Sequence, residues 1–317
     1  MNASSGGGSN AGGAAADSAG QQPAAGAGGA NSAGADTGSE LAPPPPPANL
    51  ASLVWAVGGE GIGPGLFDDA RFVGVEGSGA IYVGEFSDGD TAARIQRFTA
   101  DGSFSSQWFV VDTAIITGLF ADRNGIVYVN QGGTITRFEG ATGRSLGIVD
   151  LPDYSDLVLA IAPTPDNGLL TVARTQMLRF DSSLRVTLDV DTIGPVLDNS
   201  IFIDGAAMDG TGNIFVIDTF EYAVFKFDAS GTFRDRVGSQ GSGAGFIDSP
   251  PDAVAVDGRG RIYASDFDGI EVFNADGSSR GLIPTDPSVS GMAISDKNEL
   301  VAIHGNDHRL IKYALSP

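Results

Sequence analysis

The chain has 317 residues, no cysteine and a formal charge of −21, from 18 Lys and Arg against 39 Asp and Glu. The lack of cysteine excludes disulfides, thiolate zinc sites and cysteine nucleophiles. The negative charge makes nucleic acid and anionic membranes unfavourable partners. No apolar run approaches the roughly 20 residues that span a bilayer.

Residues 1–49 are predicted to form a disordered tether, because Gly, Ala, Ser and Asn offer too little apolar surface to offset the entropy of ordering. The run Pro43–Pro47 predicts a stiff polyproline II spacer. No apolar segment typical of a signal peptide follows Met1. The composition resembles the mature start of exported bacterial proteins, so we expect a location in the cell envelope or outside the cell. Residues 50–317 suffice for one well-buried domain.

Two glycine-rich segments look alike: VGGEGIGPGLF (Val57–Phe67) and VGSQGSGAGFI (Val237–Ile247). A phosphate-binding loop is followed by a helix whose N-terminus receives the anion, and neither segment has a helical pattern after it. Each segment instead precedes an alternating strand pattern. We therefore interpret the glycines as backbone freedom where the chain crosses between repeat units.

A motif of the form apolar–x–basic–aromatic recurs at intervals of 40, 42, 47, 46 and 40 residues. Its six copies are IQRF, ITRF, MLRF, VFKF, IEVF (without the basic residue) and LIKY, ending at Phe98, Phe138, Phe180, Phe227, Phe273 and Tyr313. Six copies at this period predict propeller blades of four short strands each. We expect the aromatic rings and the basic stems to pack between blades, with the charged heads paired to acidic neighbours.

Within each repeat, alternating strands are joined by polar turns such as DGRG and DGTG, in which Gly or Asn tolerates positive φ. No segment of a repeat has the 3.6-residue period of a helix, so an all-β fold is predicted. The strands of a blade are labelled a to d from the axis outwards.

The last repeat predicts how the ring closes. Five a–b–c units are followed by a d strand, whereas the sixth ends four residues after Tyr313. The missing d strand is predicted at the other end of the chain, in LVWAVG (Leu53–Gly58). This N-terminal strand should complete the last blade of a six-bladed β-propeller and leave no long open sheet edge.

The segment GSQGSGAGFIDSPPDAVAVDGRGRIYASDFDGIEVFNADGS resembles an NHL repeat, with its glycine-rich lead, its D-x-x-G-x-I-Y pattern and its aspartate after strand b. GGEGIGPGLFDDARFVGVEGSGAIYVGEF and MDGTGNIFVIDTFEYAVFKFDASGTF are similar, and the resemblance covers Leu53–Pro317. The family's aspartate is present as Asp218 and Asp266, and the other four blades depart from the pattern at this position.

NHL propellers are mostly binding modules, and their RNA-binding members resemble basic platforms, which this chain does not match. The resemblance therefore implies a binding or scaffold module whose ligand is a protein or a glycan. Related six-bladed enzymes include calcium-dependent lactonases, a zinc amidating lyase and a lyase that opens cyclic antibiotics. The fold alone does not choose among these functions.

Two rings of residues are predicted at one end of the propeller axis. The starts of the a strands contribute Arg71, Thr117, Leu159, Asp204, Asp252 and Ser290. The positions after the b strands contribute Glu85, Asn130, Arg174, Asp218, Asp266 and His304. We expect this face to bind the ligand through Arg71, Asp204, Asp252 and the six residues of the second ring.

Blades four and five bring acidic residues from both rings to one sector. A calcium ion takes six to eight oxygen ligands, so a calcium site is a candidate here, and no other cofactor is expected. Its candidate ligands are Asp204, Asp218, Asp252 and Asp266. We favour the alternative in which Asp218 and Asp266 cap the b–c turns by hydrogen bonds to the backbone.

The segment SDGDTAAR contains Asp88 and Asp90, two positions apart as in a calcium loop. The downstream Glu of such a loop is absent, so a solvated b–c loop is favoured.

The two histidines, His304 and His308, lie in HGNDHRL, which is predicted to be a b–c turn. Two histidines cannot make a three-histidine zinc site. His304 is a candidate general base, and a solvent-exposed turn histidine is the favoured alternative. No serine lies in a G-x-S-x-G elbow.

The sequence thus predicts a monomeric, non-catalytic binding propeller, and no catalytic residue is assigned. The alternative is a calcium-dependent hydrolase or lyase with its site at the axial mouth, built from the acidic sector together with Glu85 and Asn130.

Overall fold

Six four-stranded antiparallel sheets make up the described part of the computed structural model. The described residues are 49–86, 93–110, 115–152, 157–191, 202–243, 245–285 and 289–317. Nearly all of the predicted tether, and the loop with Asp88 and Asp90, lie outside them. Among these residues no helix is long and apolar enough to cross a membrane. The predicted all-β, six-bladed propeller is confirmed.

The strands follow one another in the order that the repeats predict. They are β1 (Ala51–Gly58), β2 (Ala70–Val75), β3 (Ile81–Glu85), β4 (Arg94–Phe98), β5 (Phe104–Phe109), β6 (Ile116–Ala121), β7 (Ile126–Gln131), β8 (Thr134–Glu139), β9 (Arg144–Ile148), β10 (Val158–Pro163), β11 (Leu169–Ala173), β12 (Met177–Phe180), β13 (Val186–Val190), β14 (Ile203–Met208), β15 (Ile214–Asp218), β16 (Ala223–Phe227), β17 (Phe233–Val237), β18 (Val254–Val256), β19 (Ile262–Asp266), β20 (Gly269–Phe273), β21 (Ser279–Pro284), β22 (Val289–Ile294), β23 (Glu299–His304) and β24 (Arg309–Leu315).

Blades one to five each pair four consecutive strands, β2 to β5, β6 to β9, β10 to β13, β14 to β17 and β18 to β21. Blade six pairs β22, β23, β24 and β1. The innermost strands β2, β6, β10, β14, β18 and β22 contact one another in this order, and β22 contacts β2. The six blades therefore surround one axis as a closed ring.

The hydrophobic core is divided into six clusters, one for each interface between neighbouring blades. At the interface of blades six and one, Ile81 and Val83 pack with Val301 and Ile303. The b strands are buried along their whole length, as β3, β11, β15 and β19 show, because a blade covers each of their two faces. They therefore read as nearly continuous apolar runs, whereas most residues of the outer d strands are exposed.

The aromatic residues of the motif on strand c have the predicted packing role. Phe98, Phe180, Phe227 and Phe273 are almost fully buried between blades. The basic residue has an acidic partner in three repeats, as in the Lys312–Glu299 pair, whose Nζ–Oε2 distance is 3.0 Å. In the other two, Arg137 and Lys226 instead donate to backbone carbonyl groups. The stems contribute apolar area while the heads keep a polar partner.

The N-terminal strand closes the ring as predicted. β1 pairs antiparallel with β24, from Ala51 opposite Leu315 to Gly58 opposite Arg309. The backbone N–H of Ser316 donates to Leu50 O at 2.9 Å and extends the pairing by one bond. The Lys312 ammonium lies 5.6 Å from the centre of the Trp55 ring, within cation–π range.

Removing β1 tests this closure. We expect deletion of residues 1–58 to lower the melting temperature by on the order of 10 °C or more, because it exposes the edge of β24 and one face of an inter-blade cluster. Deletion of residues 2–48 is the matched control, and it should leave the melting temperature unchanged because that segment has too little apolar surface to form a packed core. Differential scanning calorimetry makes the comparison, and equal melting temperatures for the two truncations would contradict closure by β1.

Candidate functional site

The propeller axis has two mouths separated by an apolar waist. The mouth at the starts of the a strands has a cavity of about 80 Å³, and the mouth at the a–b turns has one of about 340 Å³. Each blade contributes one residue that lines both cavities. The waist consists of Val73, Leu119, Ile161, Ala206, Val254 and Met292. The end with the b–c turns and the crossing loops between blades is called the b–c face below, and the other end the a–b face.

A β-bulge near the start of strand a positions the residues at the smaller mouth. In five blades the pairing of strand a with strand b skips one residue. The skipped residues are Arg71, Thr117, Leu159, Asp204 and Ser290. Since a bulge re-aims a side chain, this irregularity explains how polar residues reach the axis.

Five of the six residues predicted at the start of strand a line the smaller mouth: Arg71, Thr117, Asp204, Asp252 and Ser290. Leu159 instead packs against the core between blades three and four. Asp252 precedes the short strand β18, and the Ser265 hydroxyl accepts the N–H groups of Asp252 and Ala253 at 2.8 and 2.9 Å. Five of the six positions thus lie at the mouth, and ligand binding by them stays a prediction.

The mouth carries two aspartates and one arginine. Partial desolvation by the channel walls raises the pKa of Asp252, and repulsion from Asp204 adds to this, whereas Arg71 opposes it. Arg71 is oriented by two 2.8 Å bonds to Asp69 and lies 4.0 Å from the centre of the Phe86 ring. The excess of acid over base makes the mouth attractive to a cationic group.

The second predicted ring is used mainly to hold loops. Asn130 accepts the N–H of Gly133 at 3.1 Å and donates to Val158 O of the next blade at 3.1 Å. Asp218 accepts the N–H groups of Phe220 and Glu221 at 3.0 and 3.3 Å. These side chains bond to backbone within and between blades, as the turn-capping alternative predicts.

Asp266 and Glu85 hold the crossing loops that lead into their own blades. Asp266 accepts the N–H groups of Asp248 and Ser249 at 3.1 and 3.0 Å. Glu85 accepts the N–H of Asp68 at 2.9 Å. Arg174, at the same repeat position in blade three, is exposed.

These contacts reduce the candidate calcium set to two residues at the mouth, Asp204 and Asp252. The carboxylates of Asp218 and Asp266 instead accept hydrogen bonds from backbone N–H groups. Among the residues that the structure describes, no three His, Cys, Asp or Glu side chains are grouped so as to hold a metal ion. Calcium binding at the pair stays a prediction.

The environment of His304 differs from the one expected. His304 is the last residue of β23 and is buried, so it is not a solvent-exposed turn residue. Its Nε2 lies 3.2 Å from the Tyr313 hydroxyl, and burial lowers its pKa despite the opposing charge of Asp307. The cause is that strand b runs further than the sequence pattern shows. A neutral, buried imidazole fits a packing role better than proton transfer at the axis.

The crossing loop of blade one, residues 59–67, is held by two buried side chains of β4 that the sequence analysis did not single out. Arg94 pairs with Glu85 at 2.7 Å and donates to Leu66 O at 2.9 Å and Gly63 O at 3.2 Å. Gln96 accepts the N–H of Gly65 at 2.8 Å and donates to Leu66 O at 2.7 Å. The interpretation of the loop as a crossing is confirmed, and the positive φ of Gly61 and Gly65 explains two of its glycines.

Exposed aromatic residues on the b–c face were also missed. Phe220 and Phe267 follow β15 and β19 and are 62% and 69% exposed. Phe202 and Phe246 lie beside them in the sectors of blades four and five and are each 43% exposed. The rings of Phe202 and Phe220 lie 4.0 Å apart, centre to centre. The sequence did contain a signal for them, because Phe220 and Phe267 are aromatic residues in predicted polar turns, shortly after Asp218 and Asp266.

The larger cavity on the a–b face has acidic residues that already serve the a–b turns. Asp122 accepts the N–H groups of Asn124 and Ile126, both at 2.9 Å. Asp209 and Asp257 make the same pair of bonds to the second and fourth residues after them. These oxygens cap turns, so the three carboxylates are already bonded to the backbone.

No protein-family model matches the chain. No curated protein matches its sequence. Solved structures do match. A protein of unknown function from Bacteroides thetaiotaomicron has a TM-score of 0.61 at 15% identity, over 84% of this chain and 76% of its own. An inferred gluconolactonase has a TM-score of 0.59 at 15% identity, over 82% and 93%. A streptogramin B lyase has 0.57 at 8% identity, over 83% and 98%. At these identities the likeness shows the propeller fold.

The buried Arg94–Glu85 pair gives a stability prediction. Arg94→Ala should destabilise the protein by about 3–5 kcal/mol, because it leaves the Glu85 carboxylate buried without its cation. Arg144→Ala is the control, since it removes an exposed, solvent-screened Arg–Glu pair and should leave the stability nearly unchanged. Urea unfolding measures both, and similar losses for the two variants would contradict the assigned role of Arg94.

Proposed function

We propose that the protein is a non-catalytic binding module and that its b–c face binds a basic polypeptide segment. One observation supports this proposal: four exposed phenylalanines lie in blades four and five, the two blades that place Asp204 and Asp252 at the axial mouth. They are Phe202, Phe220, Phe246 and Phe267, and together they are called the aromatic patch.

The patch has the composition of a protein-binding surface. Buried aromatic side chains dominate interface energetics, and exposed ones in a group mark an interaction site. A ligand that covers Phe220 and Phe267 removes large apolar areas from water. The neighbouring acidic residues then favour a lysine or arginine on that ligand.

A neutral glycan is the other ligand class suggested by the sequence, because sugar rings also stack on aromatic side chains. It does not use the charge of the mouth, whereas a basic peptide uses both features. The NHL-like repeat supports a binding role, and the tether-like N-terminal composition supports an envelope or extracellular location.

A second candidate function is a calcium-dependent hydrolase or lyase, and the pair Asp204 and Asp252 is the observation that favours it. The mouth holds two carboxylates, and burial partly desolvates that of Asp252. Such carboxylates can bind a cation or transfer a proton. The comparison structures include enzymes, at identities that carry only the fold.

Calcium addition separates the two functions. For a binding module we expect the melting temperature of the wild type to be the same in calcium and in chelator. An ion that does not bind the folded protein does not shift the folding equilibrium. A melting temperature that is higher in calcium than in chelator would favour the metal-dependent enzyme instead, provided that Asp204→Asn and Asp252→Asn abolish the difference and Asp69→Asn retains it.

Binding is tested with short labelled peptides built from Lys-Leu-Ser, Glu-Leu-Ser and Lys-Ser-Ser repeats, and with neutral oligosaccharides. We expect Lys-Leu-Ser to bind best by fluorescence anisotropy, with an affinity that falls as salt rises. Phe220→Ala should weaken it about tenfold or more, as loss of an aromatic anchor does.

The control is Phe233→Ala, a partly exposed phenylalanine of the same blade at the start of β17, on the a–b face. Equal effects of the two variants, or a preference for the acidic peptide, would overturn the proposal. Binding of the oligosaccharide alone would assign a glycan ligand instead.

A further inference from the structure

The crossing loops of blades one and five share their backbone hydrogen bonds at the described residues, which exclude residue 244. In residues 59–67 the N–H of Phe67 donates to Gly59 O at 2.9 Å, and in residues 239–247 the N–H of Ile247 donates to Ser239 O at 3.0 Å. The next bond inward is also repeated, from Leu66 N to Gly63 O and from Phe246 N to Gly243 O, both at 3.0 Å. Each loop ends in a parallel bridge, Glu60 with Phe67 and Gln240 with Ile247.

Glu271 holds in blade five the position that Gln96 holds in blade one. Gln96 pairs with Val83 of β3, and Glu271 pairs with Ala264 of β19. Val83 and Ala264 are each the third residue of their b strand. The N–H of Gly65 donates to Gln96, and the N–H of Gly245 donates to Glu271. The two side chains therefore accept the same bond from equivalent loops.

The second polar atom of each side chain shows the difference. In blade one the Gln96 amide donates to Leu66 O at 2.7 Å. In blade five Glu271 is 3% exposed, and within the described residues its Oε2 has no hydrogen-bond partner. A carboxylate oxygen cannot donate to a carbonyl, whereas a carboxylic acid can do so in the way an amide does.

The charges around Glu271 favour the acid form. Burial is the main cause that raises its pKa to about 7, and the carboxylates Asp266 of β19 and Asp248 of the crossing loop raise it further. The Gly245 N–H opposes them. Across the sheet β21 places the apolar Leu282 opposite Glu271.

The cation of blade one has no counterpart in blade five. The first residue of the c strand is Arg94 in β4 and Gly269 in β20, so the guanidinium that neutralises Glu85 is missing beside Asp266 and Glu271. A proton is the smallest positive charge that can take its place, and it needs no cavity.

We propose that Glu271 is a proton-operated latch: its carboxylic acid donates to the carbonyl oxygen of Phe246 and holds Phe246 and Ile247 in place, as Gln96 holds the corresponding residues Leu66 and Phe67. Loss of the proton replaces this hydrogen bond with repulsion between two oxygen atoms, and the loop loosens. The loop carries Phe246 of the aromatic patch. If ligand binding occurs there, which rests on the proposed function, the blade-five side of that surface is organised at acidic pH and loosened above neutrality.

The direction of the pH effect follows from linkage. Glu271 binds its proton more tightly in the closed loop than in an open, solvated one, where the pKa is that of an ordinary Glu, 4.5. The closed loop is therefore fully stabilised below that value, loses stability as pH rises towards 7, and loses no more above it. A pKa difference of this size allows opening to increase by on the order of 100-fold.

The first test is a carbon-13 NMR titration of the side-chain carboxyl groups in the full-length protein without ligand. We expect one Glu Cδ signal to titrate near pH 7 and to be absent in Glu271→Gln. A normal titration of Glu271 between pH 4 and 5 would overturn the proposal. So would a titration that calcium shifts strongly, because a metal ion would then replace the proton.

The second test is hydrogen exchange of the loop amides, corrected for the intrinsic pH dependence of exchange. Protection of Phe246 and Ile247 should fall between pH 5 and 7, while Leu66 and Phe67 of blade one stay constant in the same sample. Glu271→Gln should remove the fall, because a permanent amide keeps both hydrogen bonds. The variant leaves the neighbouring carboxylates Asp248 and Asp266 unchanged, so a fall caused by their titration would persist.

If Phe246 and Ile247 respond to pH in the same way as Leu66 and Phe67, the latch is excluded even if Glu271→Gln does not fold. Since neither test contains a ligand, a failure of the proposed binding function leaves both results interpretable. If the latch is confirmed, the affinity of the Lys-Leu-Ser peptide should fall with rising pH in the wild type and stay flat in Glu271→Gln.

Discussion

The pairing of β1 with β24 is the interaction on which the rest of the structure depends. Each blade buries its two faces only against its neighbours, so the core consists of six interfaces in a cycle. The interface of blades six and one joins the two ends of the chain, and Trp55 and Val57 of β1 pack against it. Without β1, blade six would present the open edge of β24 to solvent.

Closure also determines what can reach the axis. Six inner strands around one axis leave an apolar waist between the two mouths. The bulges at Arg71 and Asp204 each place a charged side chain at the smaller mouth, and Asp252, just ahead of β18, adds a second carboxylate there. The exposed aromatic rings of the same face come from b–c turns and crossing loops that do not contribute to the waist.

Much of the fold could be predicted because each repeat is defined by short, local sequence patterns. The aromatic spacing, the polar turns and the missing final strand are all visible in the sequence, and the position of LVWAVG followed from counting strands. The axial positions Asp204 and Asp252 were predicted for the same reason, since the start of strand a is a repeat position.

The remaining features depend on contacts between distant residues. Arg94 reaches loop carbonyls about thirty positions earlier in the chain, and no short motif shows such a contact. The burial of His304 depends on how far β23 extends and on Tyr313 of the next strand. The equivalence of Gln96 and Glu271, and the difference in their hydrogen bonds, become visible only when blades one and five are aligned strand by strand. Exposure of Phe220 and Phe267 likewise depends on which side of a turn faces solvent.

The most direct test of the central claim is native-state hydrogen exchange of β1 and β24 in the full chain, measured against the inner strands at increasing denaturant. If β1–β24 pairing closes one cooperative ring, the amides of Trp55 and Lys312 exchange with the same opening free energy and denaturant dependence as those of β6 and β14. Exchange of β1 and β24 by an opening of much lower free energy, while the inner strands keep their protection, would show that the propeller is stable without closure and would contradict the account.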